Sequence, residues 1–184
     1  ADKEMPFAVQ RIDCRIQPAS ISLDMLSSLS LLEPFGAGNP QPCFGLFGVR
    51  IDDIASVSDG KHIRMSVSKN GARTGVVYFG MQDKRFPFDK GDTVDLAVNL
   101  DRNVYNGETR VSVIVRGIRP SGTDEDKVLS AISLFERFSR GEHIGSEEAK
   151  RLLPDRALEV EVFRSIKAKP LRDKYCEALC SRLG

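Results

Sequence analysis

His62-Ile63-Arg64-Met65-Ser66-Val67-Ser68, the pair Asn70-Gly71, and then Arg73 through Met81 form the stretch whose reading decides the fold. Ile63, Met65 and Val67 alternate with His62, Arg64, Ser66 and Ser68, the period of two that marks a half-buried strand. Asn-Gly supplies the two positive-φ positions that a two-residue hairpin turn demands. The run from Arg73 to Met81 is then the partner strand. Taking its bulkier set as the buried one puts Val77 and Phe79 inward and Val76, Tyr78 and Gly80 outward.

Working outward, three more runs share this period. Phe44 to Val57 is broken by Gly45 and Gly48, with Phe47, Val49 and Ile51 on one side. Thr93 to Leu100 places Val94, Leu96, Val98 and Leu100 together, and after a second Asn-Gly turn at Asn106-Gly107, Thr109 to Ile118 places Val111, Val113 and Val115 inside. Five antiparallel strands in so short a span suit a small closed Greek-key barrel, because closure removes unpaired edges. An OB-fold is the first expectation and an SH3-like barrel its nearest competitor.

The flanks read differently. Phe7 to Ile16 alternates like a strand. Ser22 is then a plausible N-cap for a helix carrying Met25, Leu26, Leu29 and Leu32 at helical spacing, and Pro34 stops it. Phe35-Gly36-Ala37-Gly38-Asn39-Pro40-Gln41-Pro42 is a semi-rigid connector. Beyond Ser121-Gly122, Thr123 caps a helix whose buried stripe is Val128, Ile132, Phe135 and Phe138. Ser146 caps a second, Pro154 opens a third, and a fourth spans about Leu171 to Leu183. The expected class is α+β: residues 1–42 end a preceding domain and its connector, 43–120 form the barrel, and 121–184 form a small helical bundle.

Composition excludes several classes. With 184 residues, 41% hydrophobic and 29% charged, the chain is an ordinary globular one, neither disordered nor collagen-like. No apolar run approaches the roughly 20 residues of a membrane span, and Ala1-Asp2-Lys3-Glu4 lacks the basic start of a secretory signal. A cytoplasmic protein with no membrane partner is expected, cut from something longer. Cys14, Cys43, Cys176 and Cys180 contain no C-x-x-C pair and read as reduced thiols. Cys176 and Cys180 share a helix face, more simply for packing than for metal. No catalytic constellation emerges: His62 and His143 are far apart, and Asp52-Asp53 has no companion ligands.

The net charge of +1 provides no overall attraction for nucleic acid, so local distribution decides. Residues 43–120 alone are net basic, with 12 basic against 9 acidic side chains. Between Asp59 and Asp83 stand Lys61, Arg64, Lys69 and Arg73 with no carboxylate among them. His62 and Arg64 are expected outward beside Tyr78, on the strand 2–3 face with which OB-folds hold single strands. Cations neutralise phosphates, and an aromatic ring accepts a stacked base. The candidate nucleic-acid-binding residues are therefore Lys61, His62, Arg64, Lys69, Arg73, Tyr78, Asn103, Tyr105 and Asn106. For Asn103 and Asn106 plain turn chemistry is the alternative, and for the basic hairpin a solvated sheet face.

Leu32-Glu33-Pro34-Phe35-Gly36-Ala37-Gly38-Asn39-Pro40-Gln41-Pro42, Gly60-Lys61-His62-Ile63-Arg64, Tyr78-Phe79-Gly80 and Asn103-Val104-Tyr105-Asn106-Gly107 resemble, in order and spacing, the C-terminal portion of the RecJ family of bacterial single-strand-specific DNA exonucleases. The likeness covers about residues 7–120, and Leu153-Pro154-Asp155-Arg156 through Phe163-Arg164 looks like the start of a helical extension. Such enzymes hold Mn²⁺ or Mg²⁺ in an Asp-His-His domain followed by a Gly-Gly-His domain, and neither motif occurs here. The resemblance thus implies a C-terminal fragment with no cofactor of its own and inactive alone. Its barrel would hold single-stranded DNA for a 5′→3′ exonuclease of DNA repair and recombination. Lys61, His62 and Arg64 match the family motif. The rival expectation is a protein-docking barrel that receives an acidic partner, such as a single-strand-binding protein tail; an RNA-binding barrel is a third.

Overall fold

The computed structural model describes residues 10–152, 156–157, 159–160 and 163–164, without the side chains of Lys84, Tyr105, Glu125, Arg151 and Leu152. Two compact units divide at Ser121–Gly122. In the first, strands β1 (Cys14–Arg15), β2 (Phe44–Val57), β3 (His62–Lys69), β4 (Ala72–Tyr78), β5 (Thr93–Tyr105) and β6 (Glu108–Pro120) form one sheet. Its order is β1-β2-β3-β4-β6-β5, and β5 pairs back onto β2, closing five strands into an OB-like barrel. The β4–β6 junction is parallel, where a wholly antiparallel ladder was expected. The reason is topological: strand direction cannot alternate all the way round a ring of five.

Leu46, Ile51, Ile63, Val67, Val76, Val94 and Val98 are fully excluded from solvent, and Met65, Leu96, Leu100, Val113 and Val115 nearly so. Each such side chain contributes about 1.5–3 kcal/mol on leaving water. Phe86 and Phe88, in the β4–β5 connection, join the same core with their rings edge to face. Expected and observed strands agree in position. Within β2, though, a register shift between Leu46 and Val49 buries those two residues and turns Phe47 out, beneath the Arg15 guanidinium at 4.5 Å.

The β3–β4 register corrects one expectation. Asn70 and Gly71 adopt φ of 52° and 80° and set Lys69 opposite Ala72, so Val67 faces Thr74, Met65 faces Val76 and Ile63 faces Tyr78. Directly opposed residues share a face of the sheet. Tyr78 therefore points toward the core side with Ile63, and Val77 and Phe79 point outward, the reverse of the arrangement inferred from bulk. Turn length fixes parity, and a shift of one residue exchanges every side chain between faces.

Of the strand expected over 7–16, Cys14–Arg15 lies parallel on β2, and residues 1–9 fall outside those described. Helix α1 (Leu23–Leu29) begins as expected, the Ser22 hydroxyl accepting from the Met25 amide at 3.2 Å. Leu26 is buried and Met25 and Leu29 pack on the core, but Leu32 is exposed because a 3-10 turn over Ser30–Leu32 has already replaced the helix. The connector is pinned rather than loose. The Asn39 side-chain amide donates to the Leu32 and Pro34 carbonyls, Gln41 donates to the Leu100 carbonyl, and Asn99 donates to the Pro42 carbonyl.

In the second unit, α2 (Glu125–Ser139) is capped by Asp124, whose carboxylate accepts from the Lys127 amide, in place of the expected Thr123. It buries Leu134, whereas Phe135 and Phe138, expected inside, are each 60% exposed. Neighbours stand about 100° apart on a helix, so burying Leu134 turns Phe135 aside. Helix α3 (Ser146–Leu152) is tied to α2 by Arg137, which donates to both Glu148 carboxylate oxygens. Of the helix expected from Pro154, residues 156–157, 159–160 and 163–164 are helical. Its remainder, the helix expected at Leu171 to Leu183, and Cys176 and Cys180 lie outside the described residues. Among those described, no helix is long and apolar enough to cross a membrane.

Candidate nucleic-acid interface

Register defines the outer face of the barrel strand by strand. On β2 it presents Arg50, Asp53, Ala55 and Val57, which oppose Ser68, Ser66, Arg64 and His62 of β3. Arg73, Gly75 and Val77 of β4 oppose Ser68, Ser66 and Arg64 from the other side, with exposed Phe79 just past the end of the strand. The β4–β6 junction aligns Val77 with Ile114 and so carries the face on to Ser112 and Arg110 of β6, and from these to Asp101 and Asn103 of β5. A Cβ built on Gly75 would meet nothing within 4 Å. The centre of the face is thus low, floored by Ala55, Ser66 and Gly75 and edged by arginines.

Not every cation here is available. Arg64 is exposed and makes no ion pair among the described residues, and the same holds for Lys61 and Arg50. Arg73 approaches the Asp52 carboxylate at 3.0 Å, and the other oxygen of that carboxylate accepts from the Ser68 hydroxyl. Lys69 shares the inward parity of Val67, at the barrel end, and its ammonium donates to the Phe47 carbonyl. That cation serves the β2 register shift and leaves the proposed face. Exposed Arg110 pairs with Glu108.

The aromatic platform moves as well. Tyr78 is half-buried against the core, and desolvation pushes its phenol above the ordinary tyrosine range. It cannot stack a base on the face that carries Arg64. Phe79 can, being 54% exposed, with its ring packed edge-on against His62 at 5.3 Å between centroids. His62 Nδ1 in turn accepts from the Gly80 amide at 2.9 Å. At the far hairpin, Asn106 and Gly107 take φ of 50° and 78°, the geometry of a two-residue turn, while exposed Asn103 sits opposite Arg110. Tyr105 ends β5 opposite Glu108, and its side chain lies outside the described residues.

The face therefore joins His62, Arg64 and Arg73, leaves exposed Lys61 in the turn just before β3, separates off Lys69 and Tyr78, and adds Arg50 and Phe79. Phe79 was findable in the sequence by counting outward along both strands from Asn70-Gly71. Arg50 and Asp52 were harder to place, because β2 shifts register between Ile51 and Asp53. Metal chemistry finds no fit: among the described residues no three His, Cys, Asp or Glu side chains converge. Asp52 is engaged as above, and Asp95 accepts from the Gly48 amide and pairs with Arg119.

A closed five-stranded barrel with one parallel junction and a cationic outer hairpin defines an OB-type domain. The family model for the RecJ OB domain matches residues 12–117, and the chain belongs to that family. Crystal structures of RecJ from Thermus thermophilus, in complex with Mg²⁺ and with Mn²⁺, are each 26% identical over 53% of this chain and 14% of theirs, at a TM-score of 0.42. The chain thus spans about one seventh of that RecJ. The second single-stranded DNA binding protein of Mycobacterium smegmatis is 21% identical over 46% of this chain and 88% of its own, at a TM-score of 0.36. No curated protein sequence matches.

Proposed function

We propose that the chain is the single-strand-binding portion of a RecJ-type 5′→3′ exonuclease of DNA repair and recombination, and that an unpaired DNA strand crosses the outer face of β3–β4. Lys61, Arg64 and Arg50 neutralise successive phosphates and release their counterions. Phe79 stacks a base, and the low floor at Gly75 and Ser66 lets the backbone lie close to the sheet. Residues 43–120 form the OB domain in this reading, residues 1–42 close the domain before it, and 121–184 extend it. Hydrolysis belongs to the metal-bearing part of the parent enzyme. The chain's own contribution is to hold the strand. One observation carries the proposal: Arg64, without an ion pair among the described residues, shares a face with exposed Phe79.

The test is fluorescence anisotropy of a labelled oligothymidylate of about 16 nucleotides, the upper site size of one OB fold. Binding should weaken steeply as salt rises, with a slope of about −0.7 per phosphate neutralised on a single strand. Arg64→Ala combined with Phe79→Ala should abolish it. Unchanged binding in that double variant overturns the site.

A further inference from the structure

Resting on that reading, we infer that His62 serves the interface as a neutral positioning residue that fixes Phe79, and not as a contact for phosphate. The geometry points there. A backbone amide can only donate, so the bond from Gly80 to Nδ1 at 2.9 Å requires that nitrogen to be unprotonated, with the ring's proton on Nε2. The residue it holds is the pivot of the platform. Gly80 takes φ of 75°, a left-handed conformation that glycine adopts without steric penalty, and it immediately follows Phe79. The imidazole also meets the Phe79 ring edge-on, 76° between planes. One side chain thus ties down both the ring and the backbone turn that carries it. Without this tie, the exposed Phe79 ring has no fixed orientation in which to receive a base.

The inference has a sign that a phosphate contact lacks. Acid converts imidazole to a two-donor cation. If His62 merely added charge, acidification would strengthen binding to a polyanion. If it positions Phe79, protonating Nδ1 sets one donor against another, frees the Phe79–Gly80 turn and weakens binding. The charged groups around it are Lys61 immediately before it, Arg64 on its own strand, Asp59 in the preceding turn, and Asp83, whose amide donates to the Gly60 carbonyl. Its partner on β2, Val57, is uncharged.

Two substitutions separate the roles. His62→Asn can place a carbonyl oxygen where Nδ1 stands and does not titrate, whereas His62→Gln reaches only toward the Nε2 position. In the full 184-residue chain, oligothymidylate affinity is measured from about pH 8 to about pH 5, the span in which histidine ordinarily changes charge. The Gly80 amide is followed by NMR in the absence of DNA. The expected result is roughly fivefold or greater loss in acid for the wild type, the lower end of what a base–aromatic stack contributes. His62→Asn should show a flat profile near the wild-type neutral affinity, and His62→Gln weak binding throughout, with the Gly80 amide shift titrating only in the wild type. Tighter binding in acid, equal affinities for the Asn and Gln variants, or a Gly80 amide indifferent to pH would each overturn the inference. A wild-type chain that binds no oligonucleotide at any pH while its Gly80 amide still titrates would instead strike the functional proposal and leave the His62–Gly80 tie standing.

Discussion

The two faces of the β3–β4 hairpin are built from alternate residues of one short stretch of chain and do opposite work. Inward stand Ile63, Met65, Val67 and Val76, all but sealed from water, with Tyr78 half-buried at their end. Outward stand His62, Arg64, Ser66, Gly75, Val77 and Phe79, a low polar strip with a ring at one end. Parity alone separates a side chain that stabilises the barrel from one that can meet a ligand. The contrast teaches that composition finds the hairpin, while only the turn assigns its faces. Substitutions placed one residue apart should therefore have unlike consequences.

The largest effect belongs to the inner face. Ile63→Ala should destabilise the barrel by about 2–5 kcal/mol, the range for deleting a large buried aliphatic side chain, as read by urea denaturation. Next comes the outer face, where Arg64→Ala or Phe79→Ala should leave the denaturation midpoint in place. Each should weaken oligothymidylate binding by about 1–3 kcal/mol, the scale of one stacked base or one strong ionic contact. Phe79→Ala should impair capture of DNA more than capture of an acidic peptide, and equal losses for both ligands would favour the protein-docking alternative.

Smaller effects sharpen the boundary between the faces. Tyr78→Phe should leave DNA affinity unchanged, since the phenol is on the core side. Its signature is instead in alkali. Desolvation raises the folded-state pKa of Tyr78 above its unfolded value, so the folded form holds the proton longer. Stability is therefore complete below about pH 10, the unfolded tyrosine range, and falls as pH climbs from there toward the raised folded value. Tyr78→Phe should remove that part of the alkaline decline. A small gain is expected from Asp52→Asn, which releases exposed Arg73 from a half-buried carboxylate and should tighten binding by about 1 kcal/mol, the upper end for ion pairs at a protein surface.

Much of this was legible in the sequence. The alternation of Ile63, Met65 and Val67, the two Asn-Gly turns and the cation run without carboxylates located the barrel and its basic hairpin. The connector and barrel motifs pointed to the family. Side-chain bulk misled at Val76, Tyr78 and Phe79 because two adjacent apolar positions compete for the inside, and hairpin arithmetic decides between them. Lys69 read as a ligand cation because sequence cannot show that its ammonium closes on the Phe47 carbonyl across the barrel end. The engagement of Arg73 by Asp52 was equally invisible, since it arises where β2 shifts register. Phe135 was misplaced for a related reason: the helical period was right, but its phase was set by Leu134, while Phe138, one turn beyond Leu134, is exposed in the last turn of the helix.

The most direct test of the account is to titrate oligothymidylate into the isotopically labelled chain and record which backbone amides shift. The expected set follows the outer strip from His62, Arg64 and Ser66 through Gly75 and Val77 to Phe79, with α2 and the β1 strand unmoved. Shifts confined to the second unit, or a spectrum that ignores the oligonucleotide altogether, would contradict the claim that this face receives the strand.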